Sequence, residues 1–265
     1  MTELVHLQVE LGVAKIILDS PANRNALSAQ LMSELAAHLN AAADNTLVRS
    51  VVLAHTSSTF CSGADLSGSS GPRDSPENSS ESNRSGPSAD MAQLVALLRQ
   101  FLHCPKPILA CIDGHVRGGG LGLVAACDLA IATPQSSFAF SEVRLGVAPA
   151  IISLTVLPRL SSRAASKYFL TGDRFDAAEA ERIGLITASE EHLLVAAEQL
   201  TDSFRASSPA GLANTKKLLT ESILQAFDVQ QGAVSELSGR LFLSEEAHEG
   251  IAAFKERRAP RWAEL

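Results

Sequence analysis

The 265-residue chain has no surplus of positive charge, no long apolar run and no cysteine spacing typical of a metal or redox site. Each lack removes a class of protein. Its 22 Lys and Arg are outnumbered by 29 Asp and Glu, leaving a net charge of -7. Proteins that grip nucleic acid regardless of sequence carry a basic face, so no nucleic-acid partner is expected, although a local pocket for one phosphate stays open. No stretch approaches the roughly 20 apolar residues of a membrane span. The opening MTELVHLQVE also lacks the basic-then-hydrophobic pattern of a secretory signal. A soluble, cytoplasmic protein without a membrane partner is the expectation. Cys61, Cys104, Cys111 and Cys127 fall in no CxxC or Cys/His pattern and read as reduced thiols, with no metal site implied. A chain this long buries a proper core without staples.

What is present is an α/β pattern. LVHLQVELGVAKIILD alternates apolar and polar residues around Gly12, as a hairpin would. Ser28 precedes Leu31, Leu35, Leu39 and Ala42 at helical spacing and is placed to cap that helix. RSVVLAH (49 to 55) and ILACID read as buried strands, and strand, helix, strand in that order suggests parallel pairing through a right-handed crossover. Residues 67 to 90 are rich in Ser, Gly, Pro and Asn without a large apolar side chain. They read as a flexible loop, idle or a substrate lid. A helix marked by Leu94, Leu97, Leu98 and Phe101 begins at Met91, and helical patterns dominate beyond residue 160.

GHVRGGGLGLVAACD (114 to 128) admits two readings. GLGLVA satisfies G-x-G-x-x-A, and Glu142 lies about 20 residues on, which are parts of a dinucleotide fingerprint. Yet GHVR intervenes between strand and glycines, where a Rossmann turn would follow directly. Alternatively, glycines at a helix N-terminus let a ligand oxygen approach unpaired N–H groups, and such a site holds an oxyanion as readily as a phosphate. A second donor could come from STFCSGADL (58 to 66), a loop of small residues after another buried strand.

CSGADL, GGGLGLVAACDLAIAT, FAFSEVRLGVAP, LTGDRFDAAEAERIGLI and EGIAAFKERRAPRW, in that order over nearly the whole chain, resemble the enoyl-CoA hydratase/isomerase (crotonase) superfamily. The resemblance displaces the dinucleotide reading. It implies a spiral of ββα units over residues 1–200 and a helical C-terminal region, 201–265, through which similar proteins form homotrimers or hexamers. It also implies an acyl-CoA thioester as substrate, with coenzyme A part of that substrate and no further cofactor.

By motif position the resemblance makes the amides of Ala64 and Gly119 the oxyanion hole and Glu142, in F-x-x-x-E-x-x-x-G, the catalytic carboxylate. It places Ala22, Arg24 and Ala26 of ANRNAL against the nucleotide part of CoA, Asp65 and Leu66 along the pantetheine, and Ser62, Gly63, Gly118 and Ser141 around the thioester. Family hydratases carry a second carboxylate on the helix after the glycines, where this chain has Gly122. One carboxylate can still take a proton from water and pass it on, or move a proton between two carbons of the substrate. Hydration of a 2-enoyl-CoA, isomerisation of a 3-enoyl-CoA and a non-catalytic acyl-CoA-binding role all follow. Loss of the carboxylate at Gly122 is also expected to enlarge the cavity. The motifs GGGLGLVAACDLAIAT and SEVRLGVAPAIIS most resemble the methylglutaconyl-CoA hydratase-like branch of leucine breakdown, whose substrate carboxylate would want a cation; Arg117 and Arg144 are candidates, each equally readable as a solvated or structurally paired arginine. His103 and His115 have no family role at their positions and read as structural, while Cys61 and Ser141 flank the implied site residues and could donate weak hydrogen bonds, with no His/Asp partner to make either a nucleophile.

Overall fold

The computed structural model describes residues 2–66 and 87–263. Strands β1 (Val5–Glu10) and β2 (Val13–Leu18) form the expected antiparallel hairpin, turning through Leu11 and Gly12, both at positive φ. Such mirror-image turns match the right-handed twist of paired strands. Helix α1 (Ala29–Asp44) starts where Ser28 Oγ accepts the Leu31 N–H at 3.3 Å, and it buries the predicted stripe of Leu31, Leu35, Leu39 and Ala42.

Strand β3 (Ser50–His55) pairs parallel to β2, and β4 (Thr59–Cys61) follows it in another sheet. Helix α2 (Pro87–His103) begins four residues before Met91. Residues 87–90 of the segment read as a loop therefore belong to a helix, and its remaining residues, 67–86, lie outside the described ones. Proline is compatible with a first helical turn, and Asp90 complements the partial positive charge there.

Next come β5 (Ile108–Ile112), β6 (His115–Arg117), α3 (Gly119–Ala126), β7 (Leu129–Ala132) and β8 (Ser137–Ala139). A 3-10 turn, Glu142–Leu145, ends this run. Helices α4 (Ala150–Val156) and α5 (Ser162–Thr171), strand β9 (Phe175–Asp176), helix α6 (Ala177–Arg182) and strand β10 (Ala188–Ser189) lead to α7 (Leu193–Ala206), α8 (Pro209–Phe242) and α9 (Glu245–Glu256).

The two sheets run β1-β2-β3-β5-β7-β10 and β4-β6-β8-β9. The pairs β3/β4, β5/β6 and β7/β8 each give one strand to either sheet, so the chain winds as a spiral of ββα-like turns, the crotonase architecture. All pairings are parallel except β1/β2 and β8/β9. Parallel strands covered on both faces read as continuous apolar runs, and all five residues of β5 are buried. HVR, the interruption that weakened the dinucleotide reading, is itself strand β6 of the second sheet. Helix α8 sinks Ile223 and Phe227 into the same core as the strands while exposing Leu218, Leu219 and Val229.

Candidate active site

Two loops leave the parallel ends of neighbouring strands β4 and β6 and meet. Gly63 sits at φ 96, where a Cβ would lie 3.2 Å from Arg117 O. Gly118 sits at φ 48, ψ -121, where a Cβ would lie 3.6 Å from Gly63 Cα and 3.4 Å from Glu142 Oε1. Only glycine adopts such backbone without strain and lets the chains approach so closely.

The first loop is braced by ANRNAL. Ser62 N–H donates to Arg24 O at 3.1 Å, Ser62 Oγ donates to Asn23 O at 3.1 Å, and Leu27 N–H donates to Gly63 O at 2.8 Å. Asn25, buried and at φ 54, holds this brace to β4. Its Nδ2 donates to Thr59 O at 2.8 Å, and its Oδ1 accepts the Ser20 N–H at 2.6 Å. Among the described residues, neither the Ala64 nor the Gly119 N–H meets an acceptor. The Gly119 N–H also opens α3, where the helix dipole adds positive potential.

Glu142 enters from the 3-10 turn after β8, with its carboxyl beside Gly118. The residue as a whole is half-buried, but Oε2 is shut off from solvent and has no hydrogen-bond partner. Burial pushes the carboxyl up to about 7, opposed only in part by the residue's own backbone N–H. Helix α9 fixes this turn from behind. A Cβ on Gly146 would strike Glu246 O at 2.4 Å, and one on Gly250 would strike Leu145 C and O at 2.5 Å.

Loops and turn border a cavity of about 260 Å³. Nine of the residues singled out in the sequence line it: Ser62, Gly63, Ala64, Asp65, Leu66, Gly118, Gly119, Ser141 and Glu142. Ala22, Arg24 and Ala26 do not; Ala22 and Arg24 are exposed on the brace and Ala26 is buried.

The expectation at Gly122 needs correction, and both arginines take their structural reading. The space beside Gly122 is no enlargement of the cavity, because Ile152 of α4 occupies it. A Cβ at 122 would lie 2.6 Å from Ile152 Cγ2, and Thr155 Oγ1 donates to Gly122 O at 3.1 Å. Glycine here lets α4 close onto α3. Neither arginine faces the acyl cavity. Arg117 donates to Ser137 O and Oγ of β8, and burial together with nearby Arg174 lowers its pKa to about 10. Arg144 donates to Thr171 O and pairs with Asp173 at 2.6 Å.

His115 bonds Ser137 Oγ at 2.9 Å, away from the cavity, and His103 is exposed. All four cysteines are buried free thiols, and burial pushes Cys61 up to about 12, far from a reactive thiolate.

Sequence reasoning missed the rest of the wall. Asp90, Met91 and Leu94 come from α2, Ile151 and Ile152 from α4, and Ser238 and Phe242 from the far end of α8. The only trace in the sequence was the helical spacing of apolar residues, which says that a face is buried but not what it faces. Among the described residues, no helix is long and apolar enough to cross a membrane.

The chain matches the enoyl-CoA hydratase/isomerase family over residues 8–264. An enoyl-CoA hydratase of known structure from Mycobacterium avium is 47% identical, with a TM-score of 0.89 and coverage of 99% of this chain and 100% of that one. The 2,3-dehydroadipyl-CoA hydratase of Escherichia coli (strain K12) is 31% identical, with 98% of each chain covered. A peroxisomal Delta(3,5)-Delta(2,4)-dienoyl-CoA isomerase of Arabidopsis thaliana is 28% identical, covering 99% of this chain and 97% of that protein. With its ββα spiral and its two glycine loops meeting at Glu142, the chain belongs to the enoyl-CoA hydratase/isomerase family of the crotonase superfamily.

Proposed function

We propose that this enzyme hydrates a 2-enoyl-CoA thioester, with Glu142 as the sole proton carrier on its side of the cavity and the Ala64 and Gly119 amides as the oxyanion hole. One observation carries the reading: an enclosed, unpartnered carboxyl oxygen lies beside two loops whose Ala64 and Gly119 N–H groups meet no acceptor among the described residues. A carboxyl with pKa about 7 populates both protonation states near neutral pH, as a group that must first accept and then donate requires.

Glu142 takes a proton from water as the hydroxide oxygen bonds to the β-carbon. The π electrons move onto the thioester oxygen, where the two N–H groups hold the enolate. When the carbonyl re-forms, Glu142 returns its proton to the α-carbon. Donors of this kind each contribute on the order of a hundredfold or more in rate. The reading calls for no cofactor beyond the CoA that the substrate carries. Exposed Arg24 on the brace is proposed to meet its phosphates, and exposed Leu218, Leu219 and Val229 of α8 to lie in a trimer contact.

The alternative, double-bond isomerisation by Glu142 alone, draws on apolar Ile152 in the space next to Gly122, which leaves no second carboxylate on α3. The similarity to a dienoyl-CoA isomerase agrees with it. Loss of the conjugated-thioester absorbance of crotonyl-CoA, with product mass, separates the two readings. Addition of water is expected, with kcat reduced on the order of a thousandfold in Glu142→Gln. Wild-type protein that leaves crotonyl-CoA untouched but converts 3-hexenoyl-CoA to its 2-enoyl isomer would make it an isomerase.

A further inference from the structure

The acyl cavity carries charge of one sign. Its only charged liners among the described residues are Asp65, Asp90 and Glu142, with no Lys, Arg or His. Two of these carboxylates present buried oxygens without a partner: Glu142 Oε2 and Asp90 Oδ1. Asp90 comes from the first turn of α2, one helical turn before Leu94, and Leu94 Cδ2 lies 3.8 Å from where a Cβ on Gly119 would be. The Asp90 carboxylate therefore stands about one turn beyond the oxyanion loop, along the same helix that walls the cavity.

A buried acceptor left unsatisfied is costly, and none of the described residues satisfies this one. Burial and neighbouring Asp65 both disfavour its charge, so any anion brought alongside meets further repulsion.

We propose that Asp90 is a specificity-determining residue that selects acyl groups ending in a hydrogen-bond donor, a hydroxyl or an ammonium, over neutral ends, and rejects those ending in a carboxylate. This deepens the acyl-CoA reading of the site and rests on it. It separates the chain from a relative named for a dicarboxylic acyl group, and it runs against the glutaconyl-type substrate that the glycine-helix motif suggests. The donor's proton would complete the unpartnered Oδ1, whereas a carboxylate would meet the Asp90 carboxylate with no cation among the described lining residues to receive it.

The test uses saturated thioesters, which cannot be hydrated, so binding is read whether or not the enzyme is a hydratase. Hexanoyl-, 6-hydroxyhexanoyl-, 6-aminohexanoyl- and adipoyl-CoA are titrated calorimetrically into wild type and into Asp90→Asn, a variant of nearly the same shape. In wild type the hydroxyl and amino esters are expected to bind tightest, and adipoyl-CoA on the order of tenfold more weakly than hexanoyl-CoA. In Asp90→Asn the adipoyl penalty should shrink several-fold and the amino advantage disappear; the hydroxyl and amino arms identify which donor is preferred. Adipoyl-CoA binding wild type as well as hexanoyl-CoA, or a penalty unchanged in Asp90→Asn, overturns the proposal. If none of the four binds, the acyl-CoA reading fails and the proposal with it. If they bind in the expected order without turnover of crotonyl-CoA, only the hydratase reading fails.

Discussion

The proposed oxyanion side of the cavity and its proposed acyl side meet at Glu142 but are built in opposite ways. The first is backbone, made of two glycine loops at the ends of adjacent strands and braced by Asn25 and Ser62. The second is side chains, drawn from α2, α4 and α8. Backbone donors are fixed by the sheet and tolerate almost no added atom, because a single Cβ displaces the chain itself. A wall of side chains can be refitted one residue at a time and is where specificity can drift while the chemistry stays. The contrast explains how one family can include relatives named for different acyl groups and different reactions.

The contrast would break if the loops proved tolerant. Gly118→Ala puts a side chain at φ 48, ψ -121 and against Glu142 Oε1. The turn must move and the Gly119 N–H with it, so kcat on crotonyl-CoA should fall on the order of a hundredfold. Steady-state kinetics check it; a loss below threefold would mean that the oxyanion loop is as adaptable as the acyl wall.

A smaller effect tests the junction through stability. The folded state raises the Glu142 carboxyl from 4.5 to about 7, so folding favours the protonated form. That stability is fully present below pH 4.5 and is lost as pH rises through about 7. Glu142→Gln, which stays neutral, should therefore gain over wild type across that interval and hold an advantage of a few kcal/mol above it. Urea unfolding at pH 5 and pH 8 checks the sign, and an equal difference at both pH values would refute it.

The smallest effect probes the acyl side. Gly122→Ala drives a methyl into Ile152 and should cost about 1–3 kcal/mol of stability. With Ile152→Ala alongside, much of that cost should vanish, giving a measurable coupling in a double-mutant cycle. Strictly additive losses would mean that the two residues do not share the space.

Legibility in the sequence followed the same division. The hairpin, the capped helix α1, the parallel strands and both glycine loops were readable, because turns, caps and close backbone approach demand particular residues locally. The acyl wall was not. Gly122 suggested a void, yet whether a glycine leaves space or lets a neighbour fill it depends on Ile152, thirty residues away on another helix. Arg117 and Arg144 suggested a cationic pocket, but their partners, Ser137 and Asp173, turn them elsewhere. Asp90 sat at the edge of a segment whose composition reads as loop, where a carboxylate attracts no notice.

The late position of α8 and α9 has a consequence for the order in which the enzyme comes into being. Ser238 and Phe242 close the cavity, and Glu246 and Gly250 press on the turn that carries Glu142. As synthesis proceeds from the N-terminus, the two glycine loops are made well before the helices that hold Glu142 beside them. In the proposed mechanism this order would give the nascent chain an anion-binding cleft before Glu142 is held beside it, and activity would begin only when the last helices dock.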